Sequence, residues 1–336
     1  MISFDVRGRF LTAVVAVVAA SVALAACTPS DAAPDASPEG EAFTVAYVPG
    51  VTQNSYFDTV KRGMEKIAAD NNITIIHQGS PNFDPVEQTA VLNAVLAQAP
   101  DLLIVAPSDP VSMRAPIERF INADIPVITV DQVLENSEGI VSSIYGDSRQ
   151  GGELAGAEMA EQIDGSGTVA IINVVSGVTV LDERVEGFID ALADAAPDVT
   201  IAPVQEAGSS PSGSEAVTRS LLLAYPDLKG IYGVTEVNAE GAAAALRAQN
   251  RSGDIPVIAY DGTPLEVEYL EDGLLQYLIV QQAAKTGELA MQYAVDYLSG
   301  DTSSIEKLVT LPTVGVGADD LDDPAVQAVL YGPAIS

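Results

Sequence analysis

Short apolar runs recur along this chain at regular intervals, each followed by a stretch with helical spacing. No other feature restricts its fold as tightly. The runs are FTVAYV (Phe43 to Val48), ITIIHQ (Ile73 to Gln78), DLLIVAP (Asp101 to Pro107) and IPVITVD (Ile125 to Asp131). Between them Phe57, Val60, Met64 and Ile67 step by three and four residues, Val91 and Val95 mark a second helix, and Ile117 to Ile121 a third. Uninterrupted apolar strands separated by helices predict a parallel sheet covered on both faces. After IVSSIYGD (Ile140 to Asp147) the pattern restarts, with a helix over about 148–163, TVAIINV (Thr168 to Val174), and a helix carrying Val185, Phe188, Ile189 and Leu192. Further strands are VTIAPVQ, GIYGVT (Gly230 to Thr235), IPVIAYD (Ile255 to Asp261) and LQYLIVQQ (Leu275 to Gln282). A helix to about Leu298 and a strand near Leu308 to Leu311 follow, then an acidic, small-residue tail with one weak helix around Pro324 to Leu330. The chain therefore reads as α/β with two domains.

Residues 1–26 stand apart from that body. Arg7 and Arg9 precede an uncharged run from Leu11 to Ala26, shorter than the roughly 20 residues a spanning helix needs. The run ends in Leu24-Ala25-Ala26-Cys27, similar to a bacterial lipobox, and Cys27 is the only cysteine. Lipidation of Cys27 after removal of a signal peptide is the expectation, with membrane lipid as a partner. An ordinary signal peptide beside an unrelated cysteine is the alternative. Residues 27–42, rich in proline, small residues and acids, predict a flexible tether. The expected location is extracytoplasmic, anchored to the cell membrane; no later apolar run is long enough to span a bilayer.

The 47 acidic residues against 15 basic ones give a net charge of −32, which argues against a nucleic-acid partner. Catalysis and metal binding find little support either. His77 is the one histidine and has no evident nucleophile beside it. No His/Cys cluster exists for a metal, and Asp319-Asp320 and Asp322-Asp323 read as solvated tail. Gly151-Gly152 lacks the Lys-Ser/Thr of a phosphate loop, so Asp147 and Ser148 before it read as helix caps. No enzyme activity, metal or cofactor is expected.

In open parallel sheets, ligands sit beyond the carboxyl ends of the strands. Asp131 after PVITV and Asp261 after PVIAY occupy matching places in the two halves. Each can accept hydrogen bonds from neighbouring hydroxyls, as a polyol requires; capping of the next helix is the plainer alternative.

At this point the chain resembles the periplasmic sugar-binding proteins of the ribose-binding type, which share a fold with LacI-like effector domains. The resemblance covers roughly residues 43–311 and rests on ordered elements. These are Asn54-Ser55-Tyr56-Phe57, Pro126 to Asp131, Gly151-Gly152, Arg184-Val185-Glu186-Gly187-Phe188, Tyr260-Asp261-Gly262-Thr263 and Gln281. It implies two Rossmann-like domains with parallel sheets joined by a three-crossing hinge, the type I periplasmic binding protein fold. The implied lobes are 43–147 plus 282–311 and 148–281 plus 312–336, crossing near Gly146, Gln281 and Leu311. It also implies ligand-binding roles. Asn54 would bond sugar hydroxyls, Tyr56 and Phe57 would cover a ring face, and Asp131 would be the first-domain carboxylate. Arg184 would donate in a fork, Tyr260 and Asp261 would form an aromatic–acid pair, and Gln281 would sit at a hinge crossing.

The chain departs from the ribose binders at three places. Gln132 follows Asp131 where they carry Arg, Thr235-Glu236 stands where they carry Asn-Asp, and an expected aromatic is missing near Gly208-Ser209. Gln132 and Thr235 remain candidate ligand contacts, and the implied ligand is another monosaccharide or a sugar alcohol. The implied partner is an ABC permease and the implied state a monomer that closes on its ligand. A ligand-presenting sensor for a membrane receptor or histidine kinase remains an alternative, as does a binder of another small polar solute such as a nucleoside. The export signal and the absence of N-terminal DNA-binding helices exclude a repressor.

Overall fold

The computed structural model describes residues 42–332. Cys27, the expected signal peptide and all of the tether but Ala42 lie outside the described residues. The body begins with β1 (Phe43–Val48), α1 (Ser55–Asp70), β2 (Ile73–His77), α2 (Pro85–Leu96), β3 (Leu102–Val105), α3 (Arg114–Ile121), β4 (Val127–Val130) and β5 (Ser142–Gly146). It continues through α4 (Ser148–Gln162), β6 (Gly167–Asn173), α5 (Thr179–Ala195), β7 (Val199–Ile201), β8 (Gln205–Glu206), α6 (Pro211–Ala224) and β9 (Leu228–Gly233). Then come α7 (Glu236–Ala248), β10 (Val257–Tyr260), α8 (Pro264–Glu271), β11 (Tyr277–Val280), α9 (Ala283–Ser299), β12 (Leu308–Leu311), β13 (Val314–Val316) and α10 (Pro324–Gln327).

Two sheets result, one ordered β12-β5-β4-β3-β1-β2 and the other β13-β11-β10-β9-β6-β7, with β8 also on β6. The first is parallel throughout. Its central strands β3 and β4 are buried at every residue, as a sheet with helices on both faces requires. Burying each such Val, Leu or Ile contributes roughly 1.5–3 kcal/mol. The second sheet is parallel except for β13, which runs antiparallel to β11. This corrects the expectation of a strandless tail: Val314-Gly315-Val316 is three residues long and leaves no periodic signal in the sequence.

Local chemistry sets where several helices begin. Asn54 accepts from the Tyr56 and Phe57 amides to start α1, and Asp84 caps α2 with Pro85 in the first turn. Asp147 caps α4 by accepting from the Gln150 amide at 3.0 Å, and Thr263 and Glu266 form a reciprocal capping box on α8. Helices α4 and α5 meet backbone to backbone. A Cβ on Gly152 would fall 2.2 Å from the Arg184 carbonyl oxygen, and one on Gly187 2.2 Å from that of Arg149.

The chain passes between the sheets after β5, after β11 and after β12. The three passages are tied together. The Asp147 amide donates to the Leu311 carbonyl at 2.8 Å, Gln282 Nε2 to the Pro312 carbonyl at 3.0 Å, and the Thr313 amide to Gln150 Oε1 at 2.8 Å. Among the described residues no helix is long and apolar enough to cross a membrane.

Candidate ligand-binding site

The carboxyl ends of strands from both sheets face a shared cleft of about 600 Å³. Residues just past β1, β4, β6, β9, β10 and β11 line it, the places where side chains leave buried strands and reach open space. Nine of the ten expected contacts meet there: Asn54, Tyr56, Phe57, Asp131, Gln132, Arg184, Thr235, Asp261 and Gln281. Tyr260 does not line the cleft. It is fully buried at the end of β10, and the Arg184 guanidinium carbon sits 3.6 Å above its ring centre. Its contribution is to bear the cation from below.

Both aspartates sit in the left-handed region, Asp131 at φ 67° and Asp261 at φ 96°. That turn swings each carboxylate out of the strand direction, and Asp tolerates it better than most residues. Asp261 Oδ1 accepts from Gln281 Nε2 and from the Tyr331 hydroxyl, both at 2.8 Å. Arg184 Nη1 donates to the Val234 carbonyl at 3.1 Å. Asn54 Nδ2 donates across the cleft to Glu236 Oε1 at 3.0 Å.

Electrostatics in the cleft are dominated by loss of hydration. Burial raises the Asp131 carboxyl to about 6, with Asp261 adding to the rise and Arg184 opposing it. Glu236 is pushed up to about 8, first by burial and then by the neighbouring Asp261. Burial disfavours charge on Arg184 too, yet Tyr260, Asp261, Tyr232 and Asp131 outweigh it and hold the guanidinium above its ordinary range. A fixed cation thus stands between carboxyls of which some carry protons at neutral pH, an array of donors and acceptors suited to hydroxyl groups.

Several of those groups have no partner within the protein. Both amide atoms of Gln132 and Nε of Arg184 are buried without a hydrogen bond. Buried polar groups in folded proteins are overwhelmingly paired, so orphans in a cleft wall point to a ligand or solvent that pairs them. On the other wall Val174, Val178 and Leu181 give an apolar surface, and Ser209 lines the cleft where the resemblance implies an aromatic. Among the described residues no group of three or more His, Cys, Asp or Glu could hold a metal.

Sequence reasoning missed Glu236 and Tyr331. In the sequence Glu236 stands out only as a departure from the ribose binders, beside the candidate contact Thr235. Thr235 does line the cleft, but its hydroxyl donates to Asn238 Oδ1 at 3.0 Å. Tyr331 carried no signal, since it arrives from a tail whose path the sequence does not reveal. His77, outside the site, stacks on Tyr47 at 5.5 Å.

Residues 45–302 match the periplasmic binding protein domain family, and the chain belongs to that family. It is 29% identical over 293 residues to the ribose import binding protein of Bacillus subtilis (strain 168), spanning 86% of this chain and 93% of the relative. To the fructose import binding protein of Bifidobacterium longum (strain NCC 2705) it is 25% identical, over 86% of this chain and 89% of that one. A solved ABC transporter solute-binding protein from Agrobacterium vitis, bound with α-D-tagatopyranose, superposes with a TM-score of 0.82 at 31% identity, covering 86% of this chain and 99% of that one. The expected fold, two lobes built on largely parallel sheets, is borne out. The relatives are binding proteins, and this chain is one with them and not an enzyme.

Proposed function

We propose that this protein is the extracytoplasmic solute-binding component of an ABC importer, and that it captures a monosaccharide or sugar alcohol by closure of its lobes. The observation that carries this reading is the set of unpaired buried groups in the cleft, the Gln132 amide and Arg184 Nε, beside Asp131 and Asp261. A hydroxyl is both donor and acceptor, so a polyol can satisfy an orphaned amide, a guanidinium and a carboxylate at once. Tyr56 and Phe57, edge to face at 5.1 Å, offer an aromatic surface for the C–H face of a sugar ring. The ligands named for the relatives, ribose, fructose and α-D-tagatopyranose, are all sugars.

In this reading the lobes comprise 43–147 plus 282–311 and 148–281 plus 312–336, and contacts come from both. Asn54, Tyr56, Phe57, Asp131 and Gln132 act from one; Arg184, Thr235, Asp261 and Gln281 act from the other, with Tyr260 beneath Arg184. Ligand bound to both lobes favours the closed form, which a permease would then recognise. The protein acts as a monomer, and Cys27 anchors it through lipid. Incorporation of a labelled fatty acid that disappears in Cys27→Ser tests the anchor.

A thermal-shift panel tests the ligand class. D-Ribose, D-fructose, D-tagatose, D-allose and sorbitol are compared with adenosine. A ligand at 100 times its Kd stabilises by about 2.7 kcal/mol. Stabilisation by adenosine alone, with none from any sugar or polyol, overturns the sugar reading.

A further inference from the structure

The tail beyond the family-matched span of 45–302 returns to the cleft. Tyr331, four residues past α10, is 4% exposed and held at three points. Its amide donates to the Gly262 carbonyl at 2.9 Å. Its ring meets the Tyr56 ring edge-on at 5.8 Å. Its hydroxyl donates to Asp261 Oδ1 at 2.8 Å. Next to it, a Cβ on Gly332 would fall 2.7 Å from Nη2 of Arg62 on α1. The tail is thus tied to the second lobe through Gly262 and Asp261, and it leans on the first through Tyr56 and Arg62.

A carboxylate oxygen has two lone pairs. On Asp261 Oδ1, Gln281 and Tyr331 fill both. Two donors at one oxygen fix the plane of the carboxylate, which a single donor leaves free to swing about χ2, a broad torsion for Asp. The second oxygen, Oδ2, then has the cleft before it, which Asp261 lines together with Glu236, whose side chain hydrogen-bonds the same carboxylate. We infer that Tyr331 is a positioning residue of the sugar site: with Gln281 it orients the Asp261 carboxylate so that Oδ2 is presented to the ligand, while its ring backs the aromatic wall at Tyr56. This rests on the sugar reading of the cleft. It makes affinity depend on a segment outside the span that defines the family.

Tyr331→Phe keeps the ring and removes the hydroxyl. Calorimetric titration of wild type and variant with D-ribose, D-fructose, D-tagatose and D-allose reads the effect, and the unliganded melting temperature controls for folding. Loss of the oriented carboxylate predicts roughly tenfold weaker binding of every sugar that wild type binds, about the worth of one hydrogen bond to the ligand. The same substitution made on Asp261→Gly, which suits the positive φ and has no carboxylate to orient, is expected to change affinity less than about twofold. A purely structural plug would leave Tyr331→Phe silent, and an independent contact would cost as much in the Asp261→Gly background; either result overturns the inference. Wild type that binds adenosine but none of the four sugars and no sorbitol overturns the sugar reading and this inference together. Wild type that binds beside an equally tight Tyr331→Phe overturns the inference alone.

Discussion

Asn54 and Glu236, 182 positions apart in sequence, are joined across the cleft by a 3.0 Å hydrogen bond. Asn54 has its carbonyl oxygen committed to the amides of Tyr56 and Phe57, so the start of α1 fixes the direction in which its Nδ2 donates. The lobes are therefore latched by a residue whose orientation is set by helix capping. Above about pH 8, where Glu236 has lost its proton and cannot donate in its turn, Asn54→Asp keeps the cap, since Asp serves there equally well, but removes the donor and sets two charged acids face to face. Its expected outcome is a nearly unchanged melting temperature with a larger radius of gyration by small-angle scattering. An unchanged radius would show that the bond plays no part in holding the lobes together.

Stability is expected to fall as pH rises from about 5 to 8. Glu236, at about 8, faces Asp261 and Glu240, and Asp131, at about 6, faces Arg184 and Asp261. Both lie above their ordinary values of 4.5 and 3.8, so the folded form holds more protons than the unfolded one between those limits. Stability present at low pH is then lost as pH climbs through the folded values. Glu240, raised to about 7 by burial, contributes with the same sign. Glu236→Gln removes one strongly raised carboxyl, so its melting temperature is expected to change less than that of wild type between pH 6 and 8.5. Parallel curves for the two proteins would contradict the assignment.

Asp261→Ala is expected to weaken sugar binding by at least roughly tenfold in calorimetry. The change removes the carboxylate and leaves the Gln281 amide and the Tyr331 hydroxyl, both buried, without their acceptor. Unliganded stability falls as well. Unchanged affinity would defeat the placing of Asp261 in the site.

Gly152→Ala tests how the helix pair α4–α5 sets Arg184. The added methyl would overlap the Arg184 carbonyl oxygen itself, at 2.2 Å, so the helices must part. Overpacking of this kind costs roughly 1–3 kcal/mol, readable as a lower urea midpoint, and weaker sugar binding accompanies it as Arg184 shifts over Tyr260. A wild-type midpoint would mean that the pair yields without strain.

The strand and helix order was legible because buried parallel strands must be unbroken apolar runs, and runs such as Leu102–Val105 and Val127–Val130 have no polar alternation to blur them. Asp131 and Asp261 were legible because a charge directly after such a run has to emerge at the strand's end. The place of Tyr260 was not legible because an aromatic beside a site acid can face the ligand or lie beneath the cation, and only the packing of Arg184 decides. Glu236 was passed over because its importance lies in a partner 182 residues away. The tail strand and Tyr331 escaped notice because their positions depend on long-range docking, to which neither composition nor periodicity responds.

The backbone at the two cleft aspartates carries an evolutionary consequence. With φ at 67° and 96°, these sites admit Asp, Asn or Gly at modest cost and penalise nearly every other residue. A lineage that changed its diet could hardly do so by redesigning positions 131 and 261. Divergence in preference is channelled instead to neighbours such as Gln132, Thr235 and Glu236, whose backbone has no positive φ to restrict the residue type.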